Sequence, residues 1–420
     1  MPSTLILTLL IMLGVALFLA KVLKLPRNVW LLFLIQPLAM SASPVIVFIG
    51  GILSEHLATN PSYATLPLSL MILGITTGTI PASLLAKKFG RKRAFMLGLS
   101  LSLMGTLLAM QAALIASFNV FMLACFIIGT SLAFVMQFRF AAIDSVSNQE
   151  DIGKVVSALM FAGIFAAFIG PELAVLGKDW LASPYGYAGS FLALAGLVVI
   201  AMILLQAFTN PEVIISARQG TTRPISQLIR QPFFIIAILS AAIGYGLMSL
   251  LMTATPISMH TMLGHSLTDT KWVIQSHIAA MYLPSLVTGW LLKRIGLKNI
   301  LLLGVIMFIG VMVIALQGQH VLHYWWALVL LGIGWNLLFL TGTVLLAECY
   351  NASEKHKLQA VNDFMIFGVQ AISSLLAGWL IFTRGWQVLV YYTAPFILLV
   401  LLASLWFYRL KYPSITTKNQ

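Results

Sequence analysis

The sequence has few charged residues and almost no cysteine. Of its 420 residues, 8% are Asp, Glu, Lys or Arg, against about 25% in an ordinary soluble domain. Acidic residues are the scarcer charge, with 11 Asp and Glu against 24 Lys and Arg. Two cysteines, Cys125 and Cys349, cannot form a disulfide scaffold. These absences exclude a soluble enzyme, a disordered chain and a disulfide-stapled fold.

Several motifs of enzymes and nucleotide-driven pumps are also absent. The chain has no GxxxxGK[ST], no CxxC and no HExxH. We therefore expect neither an enzyme nor a resident cofactor. The net charge of +13 would suggest a nucleic-acid partner in a soluble protein. Here the basic residues lie in short breaks between apolar runs, which favours orientation in a membrane and no nucleic acid.

The sequence is rich in long apolar runs. Apolar residues make up 60% of the chain, and the mean hydropathy is +1.00. A helix needs about 20 apolar residues to span a bilayer. Thirteen runs reach that scale, at 4–22, 28–53, 64–86, 94–116, 119–139, 153–176, 186–208, 232–258, 272–292, 299–317, 322–346, 358–382 and 387–409. The sequence thus predicts an all-α polytopic membrane protein whose solvent is the lipid bilayer.

The breaks between these runs differ sharply in basic charge. One alternate set holds 21 of the 24 Lys and Arg, and the other set holds only Lys178, Lys271 and Arg384. Because cytoplasmic loops carry the excess of positive charge, the long link 210–231 and the C-terminus are predicted to be cytoplasmic. The N-terminus is then outside, and the location is the inner (plasma) membrane.

An internal repeat divides the chain. Ser83-Leu-Leu-Ala-Lys-Lys-Phe-Gly90 leads to Leu97-Gly98, and Gly289-Trp-Leu-Leu-Lys-Arg-Ile-Gly296 leads to Leu303-Gly304. Both glycines follow a basic pair and stand eight residues before a Leu-Gly pair. This predicts an extra N-terminal helix at 1–27, a six-helix half at 28–209, a linker at 210–231, a second six-helix half at 232–410 and a tail at 411–420.

Over about 28–410, these features resemble the major facilitator superfamily. The segment Gly90, Arg91, Lys92 and Arg93, here named the signature loop, is similar to that superfamily's loop between its second and third helices. Ser83 and Lys87 stand where the pattern has a glycine and an acid. Gly170-Pro171 is similar to the superfamily's fifth helix. The resemblance implies a major facilitator fold with alternating access, and it has no counterpart for the first helix. We expect the protein to be a monomer.

Methionine and histidine recur at helical spacing in two neighbouring predicted spans. Met248 and Met252 share one helix face, and His277 and Met281 share another. At a rise of about 1.5 Å per residue, Met252 and His277 match in depth, as do Met248 and Met281. Thioether and imidazole ligands favour Cu(I), and an ionisable residue inside a span indicates function. We name these four residues the Met/His set.

The Met/His set also resembles the paired MxxxM and HxxxM motifs of the CcoA-like copper importers within the same superfamily. That resemblance implies import of copper, as Cu(I), with the copper ion as substrate. An organic-solute carrier (riboflavin- or siderophore-like) or a drug exporter is the alternative. A membrane-embedded sensor or assembly factor also fits the hydropathy, although the repeated signature loop argues against it.

Other residues are candidates for supporting roles. Met259, His260, Met262 and His265 cluster just outside the Met/His set and could pass an ion inward. Glu172, after Gly170-Pro171, could carry a proton if it is buried, but a position facing the outer water is slightly favoured. Arg139 and Asp144 are expected to form an ion pair at the cytoplasmic rim.

Overall fold

A computed structural model describes residues 2–146, 149–210, 223–350 and 354–411. Throughout these ranges the chain is helical and contains no strand, which confirms the predicted all-α class. Sixteen α-helices follow one another along the described residues. They are α1 (Pro2–Leu23), α2 (Arg27–Met40), α3 (Ala42–Leu57), α4 (Leu66–Phe89), α5 (Arg91–Leu114), α6 (Phe118–Val135), α7 (Phe138–Ile143), α8 (Gln149–Leu176), α9 (Ala188–Leu205), α10 (Ile225–Leu228), α11 (Pro232–Pro256), α12 (Leu267–Tyr282), α13 (Ser285–Gln317), α14 (Val321–Glu348), α15 (Lys355–Tyr391) and α16 (Ala394–Arg409).

Eleven stretches within the described residues are long and apolar enough to cross a membrane, not the thirteen predicted. The runs 358–382 and 387–409 fall in one stretch, Val361–Arg409, whose 49 residues are long enough for two crossings. The run 272–292 is not one helix, because α12 ends at Tyr282 and α13 begins at Ser285. Pro284 lies in this break and lacks the backbone N–H that would continue a helix.

Gly90 of the signature loop and Gly296 of its repeat have the same backbone conformation. Gly90 has φ 83° and ψ 156°, and Gly296 has φ 77° and ψ 162°. This region of φ and ψ is essentially restricted to glycine. The repeat read from the sequence therefore corresponds to a repeated turn, in which glycine is required for a steric reason.

The lysines two residues after these glycines also occupy equivalent places. Lys92 Nζ donates a hydrogen bond to the carbonyl of Gln206, which caps the C-terminus of α9. Lys298 Nζ donates at 2.7 Å to the carbonyl of Leu410, which caps α16. A cation at a helix C-terminus neutralises unpaired carbonyls. Each copy of the loop thus secures the end of a later helix.

The described residues pack as two compact units. The first comprises Met1–Ile214 and Pro256–Gln275, and the second comprises Ile215–Thr255 and Ser276–Gln420. Helix α12 is shared, because Leu267–Gln275 packs with the first unit and the following residues belong to the second. The predicted half boundaries at 28–209 and 232–410 stay a prediction.

Helix α1 lies at the edge of the first unit, where it packs on α2 and α8. Only 11% of its most apolar window is buried, and side chains such as Leu10 and Phe18 are more than half exposed. In a bilayer those side chains face acyl chains, which are as apolar as they are. The predicted extra helix is therefore present as a peripheral helix.

Candidate functional site

The second unit places the histidine of the Met/His set against α14. His277 is fully buried, and its Nδ1 lies 2.7 Å from the carbonyl oxygen of Leu328. A carbonyl only accepts, so Nδ1 carries the proton and donates. The other ring nitrogen, Nε2, is buried and has no hydrogen-bond partner among the described residues. In the neutral ring, Nε2 therefore presents its lone pair inside the protein, free to accept a hydrogen bond or ligate an ion.

Met281 lies one turn further along α12, also against α14. Its backbone carbonyl accepts a hydrogen bond of 2.7 Å from Asn336 Nδ2. Between these contacts, a Cβ placed on Gly332 would lie 2.7 Å from the carbonyl of His277 and 3.0 Å from the backbone nitrogen of Met281. Leu328, Gly332 and Asn336 form one stripe at four-residue spacing. A glycine in this stripe permits the close approach of α12 and α14.

Helix α11 packs antiparallel on α14 within the same unit. A Cβ on Gly244 would lie 3.3 Å from Leu338 Cβ, and one on Gly342 would lie 2.8 Å from the carbonyl of Ala237. The later residue of α11 in these two contacts meets the earlier residue of α14. The two helices therefore run in opposite directions. With equal helical rise, Met248 is level with position 334 of α14 and Met252 with position 330.

The Met/His set therefore occupies two levels along α14. Met281 is also level with position 334, between its contacts at 332 and 336, and His277 is level with position 330. All four side chains are buried, with relative exposures of 2% for Met248, 7% for Met252, 0% for His277 and 8% for Met281. Among the described residues, no three His, Cys, Asp or Glu could hold a metal ion. Ligation would thus depend on the methionine sulfurs, and it stays a prediction.

An aromatic cluster that sequence reasoning missed lies beside these levels. The ring of Tyr245, on α11, is 5.0 Å from Trp335, 5.3 Å from Phe339 and 5.8 Å from Phe367, in edge-on arrangements. Trp335 and Phe339 are stacked at 5.3 Å with an interplanar angle of 11°. The Trp-x-x-x-Phe spacing on α14 is a signal that could have indicated this pair.

Several buried polar atoms of α11, α14 and α15 have no hydrogen-bond partner among the described residues. Trp335 Nε1 is one of them, and Thr253 Oγ1 and Ser374 Oγ are others. Buried polar groups are rarely left without a partner, and an exception requires a reason such as an absent ligand. A flat ring edge with acceptors would satisfy the indole nitrogen.

The four residues of the suggested outer relay lie in and just after one turn of the first unit. Met259, His260 and Met262 belong to a π-helical turn, Ile257–Met262, and His265 follows it. His260 Nδ1 lies 2.9 Å from the carbonyl of His265, and Met259 is fully buried whereas Met262 is 41% exposed. The ring of His260 is thus anchored to backbone, and a relay through these residues stays a prediction.

Glu172 is buried in an ion pair, so the expectation that it faces the outer water is wrong. It is 8% exposed, and Lys271 Nζ donates to its Oε1 at 2.8 Å. Burial of this acid was not readable from the sequence, because Lys271 is 99 residues away. A role in proton coupling stays a prediction.

Asp144 forms an ion pair with the signature loop and not with Arg139, as had been predicted. Arg91, rather than Arg139, pairs with Asp144 through Nε at 2.8 Å and through Nη2. The guanidinium of Arg139 instead lies 4.7 Å from the ring of Phe140. Proximity in sequence suggested the wrong partner, because Arg139 and Asp144 are five residues apart and neighbours on a helix face are three or four apart. Arg93 is exposed.

Comparison with known proteins gives three kinds of match. A family model described as Major Facilitator Superfamily matches residues 29–264 and 237–420. The chain is 36% identical over 379 residues to the riboflavin transporter RfnT of Brucella anthropi, covering 89% of this chain and 94% of that protein. It is 27% identical to YdeG, an uncharacterized MFS-type transporter of Bacillus subtilis, over 80% of this chain and 81% of that protein.

A solved structure shares the same arrangement of helices. It is a bacterial homolog of the human lysosomal transporter Spinster, in an inward-facing and unoccupied conformation. The TM-score is 0.68 at 13% identity, and the match covers 92% of this chain and 98% of that one. At this identity the likeness concerns the fold alone.

Proposed function

Since this chain belongs to the Major Facilitator Superfamily and is a multi-pass membrane transporter, we propose that its cargo is a flat organic solute of the flavin class, such as riboflavin. The observation that carries this proposal is the 36% identity to a protein named as a riboflavin transporter, over 89% of this chain. The organic-solute alternative is therefore preferred to copper, and the relatives reported above are not named for copper.

The second unit offers chemistry that suits such a solute. Aromatic faces stack on flat rings, and each aromatic pair contributes about 0.5–1.5 kcal/mol beyond burial. The stacked rings of Trp335 and Phe339 supply faces, and Trp335 Nε1 supplies a buried donor. His277 Nε2 supplies an acceptor at its level of α14. A ring system with carbonyl oxygens and an N–H would pair with both groups.

Copper remains a second candidate because of one observation. His277 Nδ1 is fixed by the carbonyl of Leu328 while Nε2 is left without a partner. Metal-bound histidines are oriented by such a hydrogen bond on the other ring nitrogen. With Met248, Met252 and Met281 on two levels of α14, this geometry would suit Cu(I), whose soft ligands include thioethers.

Uptake in a riboflavin-requiring bacterial host that lacks its own importer distinguishes the two candidates. We expect the chain to restore growth at low riboflavin and to accumulate labelled riboflavin. Trp335→Ala should raise the KM for riboflavin about tenfold, because it removes both the stacking ring and the indole N–H donor. The KM of Trp335→Phe should lie between those of wild type and Trp335→Ala. Trp379→Phe is the matched control, because Trp379 is 47% exposed and faces lipid.

Two outcomes would contradict the proposal of a flavin cargo. Absence of riboflavin uptake, together with radiocopper uptake that Met252→Leu and His277→Ala abolish, would replace the flavin with copper. Uptake of neither cargo in a host that displays the protein in its membrane would reject both candidates.

We propose that the protein resides in the inner (plasma) membrane as a monomer without a cofactor, with its N-terminus outside and its C-terminus in the cytoplasm. The excess of basic residues in one set of breaks supports this orientation. This orientation can be tested with reporters that are active on only one side of the membrane, fused at residue 411 and before residue 2. A C-terminal reporter active outside would overturn the orientation.

A further inference from the structure

Three polar side chains from two other helices, α12 and α1, meet at Glu172 of α8 in the first unit. Lys271 Nζ donates to Glu172 Oε1 at 2.8 Å, and Gln275 Nε2 lies 3.5 Å from the same oxygen and 3.3 Å from the carbonyl of Phe168. The second carboxylate oxygen, Oε2, accepts a hydrogen bond of 3.0 Å from Thr4 Oγ1. Relative exposures are 8% for Glu172, 7% for Lys271 and 7% for Gln275.

A buried ion pair persists only if its remaining lone pairs are satisfied, because desolvation of both charges opposes it. Lys271 satisfies one oxygen of Glu172, and the hydroxyl of Thr4 satisfies the other. Without that hydroxyl, Oε2 would lose this hydrogen bond while Oε1 kept its contact with Lys271. Thr4 therefore holds the carboxylate in the orientation that favours Lys271.

Thr4 belongs to α1, the helix that the family pattern does not include. The family match begins at residue 29, and α1 reaches the rest of the first unit through α8 and α2. Its neighbour one turn away, Thr8, donates only to the carbonyl of Thr4. Of these two threonines, Thr4 donates to an acceptor on another helix and Thr8 donates within α1.

Lys271 and Gln275 occupy the beginning of α12, the helix that carries His277. Six residues separate Lys271 from His277, a rise of about 9 Å. A clamp on Lys271 therefore controls the position of the helix that presents His277 and Met281 to α14. A carrier alternates between states, and a contact at the start of α12 would favour the state in which that contact is formed.

We propose that Thr4 is a positioning residue for transport: the extra helix α1 holds the Glu172–Lys271 ion pair, and the pair clamps the start of α12 during each cycle. The inference rests on the chain being a carrier, and not on which solute it carries. The ion pair opens when α12 moves and forms again when α12 returns. Loss of the Thr4 hydroxyl makes opening more frequent.

Alkylation of a cysteine introduced by Gln275→Cys measures opening without any substrate. The position is buried, and both native cysteines are buried as well, which keeps the background low. In membranes, we expect Thr4→Val to raise the rate of N-ethylmaleimide labelling about tenfold, since it removes a hydrogen bond to a charged group. Thr4→Ser should restore the slow rate, and Thr8→Val is the matched control.

Uptake kinetics distinguish a positioning role of Thr4 in transport from a role in helix packing alone. We expect Thr4→Val to lower Vmax per folded molecule several-fold with an unchanged KM, and Thr4→Ser to rescue it. Equal labelling rates for Thr4→Val and Thr8→Val would overturn the clamp, and an unchanged Vmax would overturn its part in transport. If wild type carries neither riboflavin nor copper, the cargo proposal fails, while faster labelling of Thr4→Val still supports the clamp and equal labelling still rejects it.

Discussion

The imidazole Nδ1 of His277 and the backbone carbonyl of Leu328 lie 2.7 Å apart and join α12 to α14. The two ring nitrogens of His277 therefore have different roles. One nitrogen holds the helix pair together, and the other, Nε2, lacks a partner among the described residues. A substitution here therefore alters both stability and binding, and the two effects must be measured separately.

The first prediction concerns this contact. His277→Ala should lower the free energy of unfolding by about 1–3 kcal/mol, because it removes a buried hydrogen bond. The measurement is the apparent melting temperature in detergent micelles. His56→Ala is the control, since His56 is exposed and its ring stacks on Tyr185. A loss no larger than that of the control would contradict the role of the Leu328 contact.

The repeated turn gives a second prediction. Alanine at Gly90 or Gly296 should cost about 1–3 kcal/mol, because the region of φ and ψ both occupy is essentially limited to glycine. The loss should be greater at Gly90, where a Cβ would lie 2.8 Å from Asn210 Nδ2, than at Gly296, where nothing lies within 4 Å. Gly14→Ala, in an open helical position, should cost nothing measurable in the same melting assay. Equal losses at Gly90 and Gly14 would refute the steric argument.

A third prediction separates the two candidate partners of Asp144. Arg91→Gln and Asp144→Asn should each destabilise the protein, and the double variant should show a coupling energy of about 0.5–1 kcal/mol. The side chains are 20% and 31% exposed, which keeps the value modest. Arg139→Gln should show no coupling with Asp144→Asn. Coupling to Arg139 instead of Arg91, in a double-mutant cycle, would reverse the assignment.

The fourth prediction concerns Cys349, at the end of α14. Burial, and secondly the charge of Glu348, raises the pKa of this thiol to about 12. At pH 8 only about one thiol in ten thousand is then the reactive thiolate. Iodoacetamide should label native Cys349 very slowly at pH 8 and faster as the pH rises toward 12, with full labelling in SDS. Mass spectrometry of the labelled peptide measures this, and rapid labelling of native protein at pH 8 would contradict it.

Local patterns in the sequence were sufficient for much of the fold. Apolar runs of span length predicted the helices, and the paired segments ending at Gly90 and Gly296 predicted a turn that the structure repeats with matching φ and ψ. Breaks were harder to place. The run 272–292 looked continuous in hydropathy, yet the chain turns at Leu283 and Pro284, because hydropathy does not register a missing N–H.

The candidate site was only partly predictable. Spacing along α11 and α12 predicted one level for Met252 and His277, since helical rise is fixed, and their use as ligands stays a prediction. The aromatic cluster was missed, because Tyr245 and Phe367 reach Trp335 and Phe339 from separate helices. Rotation of each helix about its axis decides such contacts, and single-helix periodicity leaves that rotation open.

The sequence by itself determined that the chain is helical, lies in lipid and repeats a glycine turn, because hydrophobicity, helical rise and steric limits on φ act locally. Only the tertiary structure decided that Asp144 pairs with Arg91, that Glu172 is buried between Thr4 and Lys271, and that His277 is directed at Leu328. Such pairings join residues far apart in the chain. They depend on how whole helices pack, which no local property of the sequence specifies.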